Sequence, residues 1–141
     1  MNTKVIRENI DEAAALIAKG ALVAVPTETV YGLGADALNE EAARKIYAAK
    51  GRPSDNPLIA HVAKKEDIEP LVREIPEAGK KLMDAFWPGP LTLIFPKSGR
   101  VPKGTTGGLD TVAVRMPSDP VARALIRLSG VPIAAPSANT S

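Results

Sequence analysis

The sequence predicts an α/β domain in which helices flank a twisted, mixed sheet. Short apolar runs rich in β-branched residues alternate along the 141 residues with capped amphipathic segments, which is typical of strands alternating with helices. Two helical segments follow each other in the middle of the chain. They interrupt a strict strand–helix–strand pattern, so a mixed sheet is favoured over a purely parallel one. The length suits one domain.

The N-terminal elements are predicted to be a helix and then a buried strand. Asn9 is a good N-cap in a capping box, so we expect a helix over Asn9–Lys19 that ends at Gly20. The apolar run Ala21–Val25 that follows predicts a strand.

The later elements follow from the same signals. Asn39 caps a helix, Pro76 separates two helical segments, and Asp119 followed by Pro120 starts another helix, which Gly130 ends. The predicted elements are a helix over Asn39–Lys50, a strand over Leu58–Val62, a helical hairpin of Lys65–Arg73 and Glu77–Ala85, strands over Leu91–Phe95 and Thr111–Arg115, a helix over Asp119–Ser129 and a strand over Ile133–Ala135.

The composition excludes several classes of site. Cysteine is absent and His61 is the single histidine, which excludes disulfides, thiolate zinc sites, a cysteine nucleophile and a histidine-built metal cage. No apolar run reaches the ~18 residues of a membrane helix, and the N-terminus lacks a signal core, so a cytoplasmic protein is expected. The net charge of +2 conceals −2 over residues 1–85 and +4 over 86–141, which hints at an anionic ligand or reflects chance.

The first candidate site segment is the loop expected between Pro26 and Asn39, which contains Thr27, Glu28 and Thr29. Its Gly-x-Gly-x-x-Ala spacing at Gly32–Ala37 formally matches a dinucleotide fingerprint, but the predicted strand ends six residues too early, so we reject that match. The glycines are explained by a turn that needs positive φ. The three polar residues are better explained by a ligand at a strand end.

The second segment is Lys50-Gly-Arg52 with the stiff Asn56 loop, and His61 follows it closely. An arginine fork and a lysine charge together suit a polyphosphate, although Lys50 alone is also explained by the helix dipole. A lone strand histidine is more often a structural residue than a ligand. His61 is left open between these two roles.

Further candidates lie in the C-terminal half. Alternation places Thr111 and Arg115 on one strand face, where the arginine suits a carboxylate or is simply solvated. The preceding Gly-Thr loop is suited to wrapping phosphates, although the chain has no P-loop motif. Ser137 has no acid–histidine pair near it, so a serine nucleophile is not expected. The turn Trp87–Pro90 is interpreted as structural, with the alternative that it walls a pocket.

Together these segments resemble the YrdC/TsaC-type threonylcarbamoyl-adenylate synthases. The motifs are Pro-Thr-Glu-Thr-Val-Tyr-Gly-Leu-Gly from Pro26, Lys50-x-Arg52, Trp-Pro-Gly-Pro-Leu-Thr from Trp87, and Ser137-x-Asn139, in the family's order. The resemblance implies a YrdC-like (DHBP synthase-like) fold with a concave basic groove. It implies synthesis of threonylcarbamoyl-AMP and pyrophosphate from L-threonine, bicarbonate and ATP with Mg²⁺. The product would serve tRNA threonylcarbamoyladenosine modification through a downstream transfer complex.

The resemblance also implies the roles of individual residues. Lys50 and Arg52 would stabilise the charge that develops on phosphate and so act in catalysis. ATP would be bound by Lys50, Arg52, Asn56, Thr111, Ser137 and Asn139. Threonine would be bound by Thr29, His61, Arg115 and the backbone of Ala135.

The family pattern continues well past Asn139, so residues 1–141 are expected to form a single YrdC-like domain that lacks its C-terminal portion and is weakly active. One alternative is a nucleotide- or RNA-binding module of the same fold with little catalysis. A related carbamoyl-adenylate enzyme, as in hydrogenase-maturation carbamoyltransferases, and a catalytically dead paralogue are further alternatives.

Overall fold

The computed structural model describes residues 10–26, 31–50 and 57–136. In that part of the chain, helices are interspersed with strands, and every predicted strand is present together with one that was not predicted. The strands are β1 (Val23–Pro26), β2 (Tyr31–Asp36), β3 (Ile59–His61), β4 (Thr92–Pro96), β5 (Thr111–Arg115) and β6 (Ile133–Ala135). The helices are α1 (Ile10–Ala18), α2 (Glu40–Lys50), the 3-10 helix Lys65–Leu71, α3 (Glu77–Phe86), α4 (Lys103–Thr106) and α5 (Pro120–Ser129).

The six strands form one sheet in the order β1-β2-β6-β3-β5-β4. β3 and β5 are parallel, whereas the other neighbouring strands are antiparallel. The prediction of an α/β fold with a mixed sheet is therefore confirmed. The basic character of the groove stays a prediction.

Three helix ends that were predicted from capping residues are confirmed, while the predicted N-cap Asn9 lies outside the described residues. The Asn39 side chain accepts a hydrogen bond from the Ala42 amide at 3.1 Å, and the Asp119 side chain accepts one from the Ala122 amide at 2.9 Å. Gly130 ends α5 in the left-handed conformation, with φ of 74°. These ends depend on neighbours within four residues, so the sequence contains the information needed to place them.

β2 was missed, because the segment after Pro26 was expected to be a loop with a glycine turn. Gly32 and Gly34 instead lie inside β2, opposite Val25 and Val23 of β1. The prediction that these glycines form a turn with positive φ is therefore wrong. The rejected dinucleotide fingerprint stays rejected, since these glycines pair within a hairpin rather than opening a helix.

The Gly-Thr loop before β5 also differs from the expectation, because its first part forms the short helix α4. The Thr105 hydroxyl donates to the Ala37 carbonyl at 2.6 Å, and the Thr106 hydroxyl donates to the Leu109 carbonyl at 2.8 Å. Both side chains are buried. Their hydroxyls therefore stabilise the fold and are not placed to wrap a phosphate.

The first arm of the predicted helical hairpin is a 3-10 helix rather than an α-helix. Pro70 lies inside it and lacks the amide proton that an α-helical hydrogen bond would need. Val72 then forms an isolated bridge with Lys97 beside the edge strand β4, and Pro76 is the N-cap of α3.

One face of the sheet is covered by the larger part of the core. Ala60, Val114 and Ala134 are fully buried on adjacent strands of this face, and Ile46 of α2 belongs to the same apolar cluster. Burial of such side chains is the main source of stability.

Among the described residues, the helices that cover the opposite face lie beside β1 and β2. α1 and α5 pack on each other beside β1 and β2, and Ile17, Leu125 and Ile133 form a second apolar cluster there. Over β3, β5 and β4 the side chains of this face stay partly or largely exposed. We call these residues the open face: Ile59, His61, Thr92, Ile94, Thr111, Ala113 and Arg115.

Asp36 is a carboxylate that is almost fully buried at the end of β2. It accepts a hydrogen bond from the Leu38 amide at 2.9 Å. Burial removes water from the carboxylate and raises its pKa, and the smaller, opposing effect comes from the Leu38 amide. The charged form of Asp36 therefore destabilises the folded state.

We expect Asp36→Asn to raise the free energy of unfolding at neutral pH. The folded state binds the Asp36 proton more tightly than the unfolded state does, so native stability falls as pH rises from the ordinary value of 3.8 through the raised pKa. The variant lacks this titration, so the two chains should converge below pH 3.8. Urea unfolding between pH 3 and 8 measures the difference, with the exposed Asp110→Asn as control. Parallel stability curves would contradict the expectation.

Among the described residues no helix is long and apolar enough to cross a membrane.

Candidate functional site

His61 and Arg115 lie side by side on the open face. They are direct partners in the parallel pair of β3 and β5, so their side chains leave the sheet on the same side. Thr92 of β4 is the partner of Arg115 on its other side. The sequence predicted that both His61 and Arg115 belong to a site. Their adjacency comes from strand register.

His61 is anchored by the neighbouring strand. Its Nδ1 lies 3.1 Å from the carbonyl oxygen of Ile133. A carbonyl only accepts hydrogen bonds, so Nδ1 carries the proton in this contact and Nε2 is the acceptor nitrogen of the neutral ring. The hydrogen bond at Nδ1 thus agrees with a structural role for His61. A ligand role at Nε2 is compatible with it.

Arg115 is anchored by the turn that precedes β4. Its Nε donates a hydrogen bond to the Gly89 carbonyl at 2.9 Å. Trp87 of that turn is 7% exposed, belongs to the core and donates its indole N–H to the Leu91 carbonyl at 2.9 Å. The interpretation of Trp87–Pro90 as a structural turn is therefore confirmed, and the turn also contacts a predicted site residue.

Ala135 and Thr111 lie further along the same side of the sheet, toward the start of β5. Ala135 is the antiparallel partner of Ile59, two residues from His61, and it is buried. Thr111 is exposed at the start of β5, four residues from Arg115, which corresponds to ~13 Å along a strand. The open face therefore connects a His61–Arg115 end with a Thr111 end.

Several strands begin or end on the side of the sheet where β5 begins at Thr111, which we call the Thr111 end. Pro26 and Tyr31 are paired at the end of the β1–β2 hairpin. β6 runs antiparallel to β2 and β3, so its last residue lies at the end of the sheet where both of these strands begin. β5 begins at the same end of the sheet, because it is parallel to β3.

The other predicted site residues cannot be placed by this structure. Lys50 is the last residue of α2, and its side chain lies outside the described residues. Also outside the described residues are Thr29, Arg52, Asn56, Ser137 and Asn139. Their roles stay predictions.

The described residues do not build a dedicated metal cage. No group of three or more His, Asp or Glu side chains is close enough to hold a metal ion among them. Mg²⁺ bound with a nucleotide needs few protein ligands, since it is held largely by phosphates and water.

Sequence reasoning missed two residues beside the site. Gly89 contributes a backbone carbonyl across 26 positions of sequence, and Thr92 reaches the open face through the register of β4. Both belong to the Trp-Pro-Gly-Pro-Leu-Thr motif, which was interpreted as a turn followed by a strand. This motif was the only signal in the sequence for either residue, and it does not indicate that the Gly89 carbonyl accepts a hydrogen bond from Arg115.

Comparison with protein families finds one match over most of the chain. The sequence profile of the Sua5/YciO/YrdC family, described as "Telomere recombination", matches residues 15–141.

Curated relatives carry the name threonylcarbamoyl-AMP synthase. The chain is 60% identical to the protein of that name from Pyrococcus abyssi, over 96% of this chain and 42% of the relative. It is 59% identical to that from Bacillus subtilis, over 94% of this chain and 38% of the relative. It is 39% identical to that from Halorhodospira halophila, over 94% of this chain and 69% of the relative.

Solved structures give the same picture of the fold. P. abyssi Sua5 complexed with L-threonine superposes with a TM-score of 0.90 at 58% identity, over 99% of this chain and 42% of that one. Escherichia coli YciO superposes with a TM-score of 0.82 at 22% identity, over 99% of this chain and 72% of that one, which supports the fold alone. The chain spans about two fifths of the length of the P. abyssi and B. subtilis relatives.

Proposed function

The chain belongs to the Sua5/YciO/YrdC family, and from that membership we propose that it takes part in making threonylcarbamoyl-AMP from L-threonine, bicarbonate and ATP. The observation that carries the proposal is the pairing of His61 with Arg115 on the open face. A relative of 58% identity with the same fold was solved with L-threonine, which supports an amino acid as the ligand of this face.

The residues at the His61–Arg115 end suit an amino acid. The planar guanidinium of Arg115 matches a carboxylate. With Nδ1 of His61 donating to Ile133, its Nε2 can accept a hydrogen bond from an ammonium or hydroxyl group. Ile59 and Ala113 give the adjacent part of the open face an apolar surface. We therefore propose that threonine binds at this end and extends along the open face toward the Ala135 backbone, which pairs with Ile59. Thr29 stays a predicted further contact.

ATP is assigned to the Thr111 end. Two of the predicted phosphate ligands are close in sequence to strand ends on this side of the sheet: Asn56 lies three residues before β3, and Ser137 lies two residues after β6. This proximity in sequence supports the assignment, and Arg52 and Asn139 stay predicted ligands. A substrate pair bound in this way lies along one groove, so that the reacting groups meet between the two ends. Positioning of this kind supplies much of the acceleration in reactions between two bound substrates.

The proposed reaction needs no covalent enzyme intermediate. The threonine amine and bicarbonate combine to a carbamate with loss of water. A carbamate oxygen then forms a bond to the α-phosphorus of ATP while the bond to pyrophosphate breaks. Lys50 and Arg52 are proposed to stabilise negative charge on the phosphates, and Mg²⁺ enters bound to ATP and supplies further charge neutralisation.

The product is a mixed anhydride, which is an activated donor for acyl transfer. We propose that a downstream complex uses it to modify tRNA, so that tRNA is an indirect partner. This chemistry needs cellular ATP and tRNA, which supports a cytoplasmic location.

Pyrophosphate release tests the proposed function. We expect pyrophosphate release from ATP and bicarbonate to require threonine. Serine should replace threonine poorly, because it lacks one methyl group, and the loss of such a group from a hydrophobic pocket weakens transition-state binding by about 1–3 kcal/mol. Calorimetry measures threonine binding by the same chain. Release that ignores threonine, or the absence of threonine binding, would overturn the proposal.

Substitution of Thr111 tests the division of the groove. We expect Thr111→Val to weaken ATP binding about threefold to tenfold, the effect of one hydrogen bond, while threonine binding alone stays unchanged. Thr111 is exposed, so the fold should tolerate the change. Calorimetric titration with each substrate separately gives both affinities, and Ser118→Ala, at another exposed hydroxyl, is the control. Weaker threonine binding with unchanged ATP binding would reverse the assignment.

A further inference from the structure

Gly89 connects the turn before β4 to the end of β5 through two hydrogen bonds. Its amide donates to the Met116 carbonyl at 2.9 Å, and its carbonyl accepts from Arg115 Nε at 2.9 Å. The two partners are consecutive residues. Gly89 therefore holds both the backbone after β5 and the arginine side chain that leaves β5.

The turn that carries Gly89 is itself firmly held. The Trp87 amide donates to the Met83 carbonyl at 3.0 Å, which ends α3, and the Trp87 indole donates to the Leu91 carbonyl at 2.9 Å. Trp87 is buried in the main core cluster. The Gly89 carbonyl is therefore fixed relative to the sheet by contacts that do not involve Arg115.

We infer that Gly89 is a positioning residue for Arg115, whose carbonyl aims the guanidinium at the carboxylate of the amino-acid substrate. The inference rests on the proposed function for the identity of that substrate. Because a guanidinium is planar and rigid, the contact at Nε sets the direction of both terminal nitrogens. Much of the side-chain freedom that arginine would lose on binding is then lost before the substrate arrives.

Only glycine fits at this position. A Cβ at Gly89 would lie 2.7 Å from the carbonyl oxygen of Phe86, which is backbone and cannot turn aside as a flexible side chain would. Any other residue must therefore shift the turn, and the shift moves the carbonyl that receives Arg115 Nε. By contrast, a Cβ at Gly99 meets nothing within 4 Å.

Threonine and ATP titrations of Gly89→Ala test the inference, with Gly99→Ala as the matched control. We expect about tenfold weaker threonine binding in Gly89→Ala, the size of one net hydrogen bond, with ATP binding unchanged. Gly99→Ala should bind both substrates as the native chain does. Equal losses for threonine and ATP, or no loss, would overturn the inference.

A double-mutant cycle separates positioning from general destabilisation. In an Arg115→Lys background there is no guanidinium to aim, so adding Gly89→Ala should produce little further loss of threonine binding. A purely structural role would give the same loss in both backgrounds, which would contradict the inference.

The Nε–H signal of Arg115 provides a readout that needs no substrate, and its native value is informative even without the glycine variant. It is assigned in ¹H–¹⁵N spectra of the native chain by its absence from Arg115→Lys. We expect slow solvent exchange of this proton in the native chain and fast exchange in Gly89→Ala. Fast exchange in the native chain would overturn the inference even if Gly89→Ala fails to fold. If the native chain binds no threonine but the proton is protected, the contact stands and the proposed function fails.

Discussion

Arg115→Ala is expected to weaken threonine binding by about 100-fold or more while ATP binding is retained. The variant removes a charged fork that would make two hydrogen bonds to a carboxylate, and each hydrogen bond to a charged group contributes about 1.5–3 kcal/mol. Arg115 lies four residues from Thr111 along β5, so the loss should be confined to one end of the groove. Calorimetric titration with threonine in the absence of ATP measures the effect.

Two further variants make this test specific. Arg115→Lys keeps the charge but lacks the planar fork, so it should restore only part of the threonine affinity. Arg127→Ala removes an exposed arginine from α5 and should leave threonine binding unchanged. Native threonine affinity in Arg115→Ala would exclude Arg115 from the substrate site.

Ile46→Ala is expected to lower the free energy of unfolding by about 2–5 kcal/mol, which is the range for truncation of a buried isoleucine or leucine. Ile46 is fully buried in α2 and belongs to the cluster on the covered face of the sheet. Domains are stable by only about 5–15 kcal/mol, so this single change should remove a large share of the stability. Urea unfolding measures it.

The control for this prediction is Leu128→Ala on α5. Leu128 is 55% exposed, so its truncation should change the free energy of unfolding by less than about 0.5 kcal/mol. The folded fraction of Ile46→Ala should still bind threonine, because Ile46 packs on the face opposite to His61 and Arg115. A cost below about 1 kcal/mol would show that α2 is not held to the sheet as the structure indicates.

The elements that sequence reasoning placed well are those with local signals. Caps such as Asn39 and Asp119 act on amides within three residues, and the β-branched run Thr111–Arg115 has the strict alternation of a half-buried strand. β2 was missed because two of its six residues are glycines, which are depleted in strands. It forms because β1 supplies its hydrogen-bond partners.

The candidate site was predicted in part. Alternation was enough to place Arg115 and Thr111 on one face of β5. His61 was a candidate because it closely follows the Lys50–Arg52 segment, although its position in a strand favoured a structural role. The role of Thr105 was not predictable, because its hydroxyl donates to a carbonyl 68 positions away. A hydroxyl in a Gly-Thr loop is equally suited to a phosphate until the fold determines what lies beside it.

The sequence by itself determined the fold class, most helix ends and the motifs that identify the family, because these depend on periodicity and on near neighbours in the chain. Tertiary structure decided that β2 is a strand, that His61 stands beside Arg115, and that the Gly89 carbonyl receives Arg115 Nε. Each of these depends on strand register or on a hydrogen bond between distant residues. Such partners are selected by the packing of the whole sheet, and no local pattern of residues specifies them.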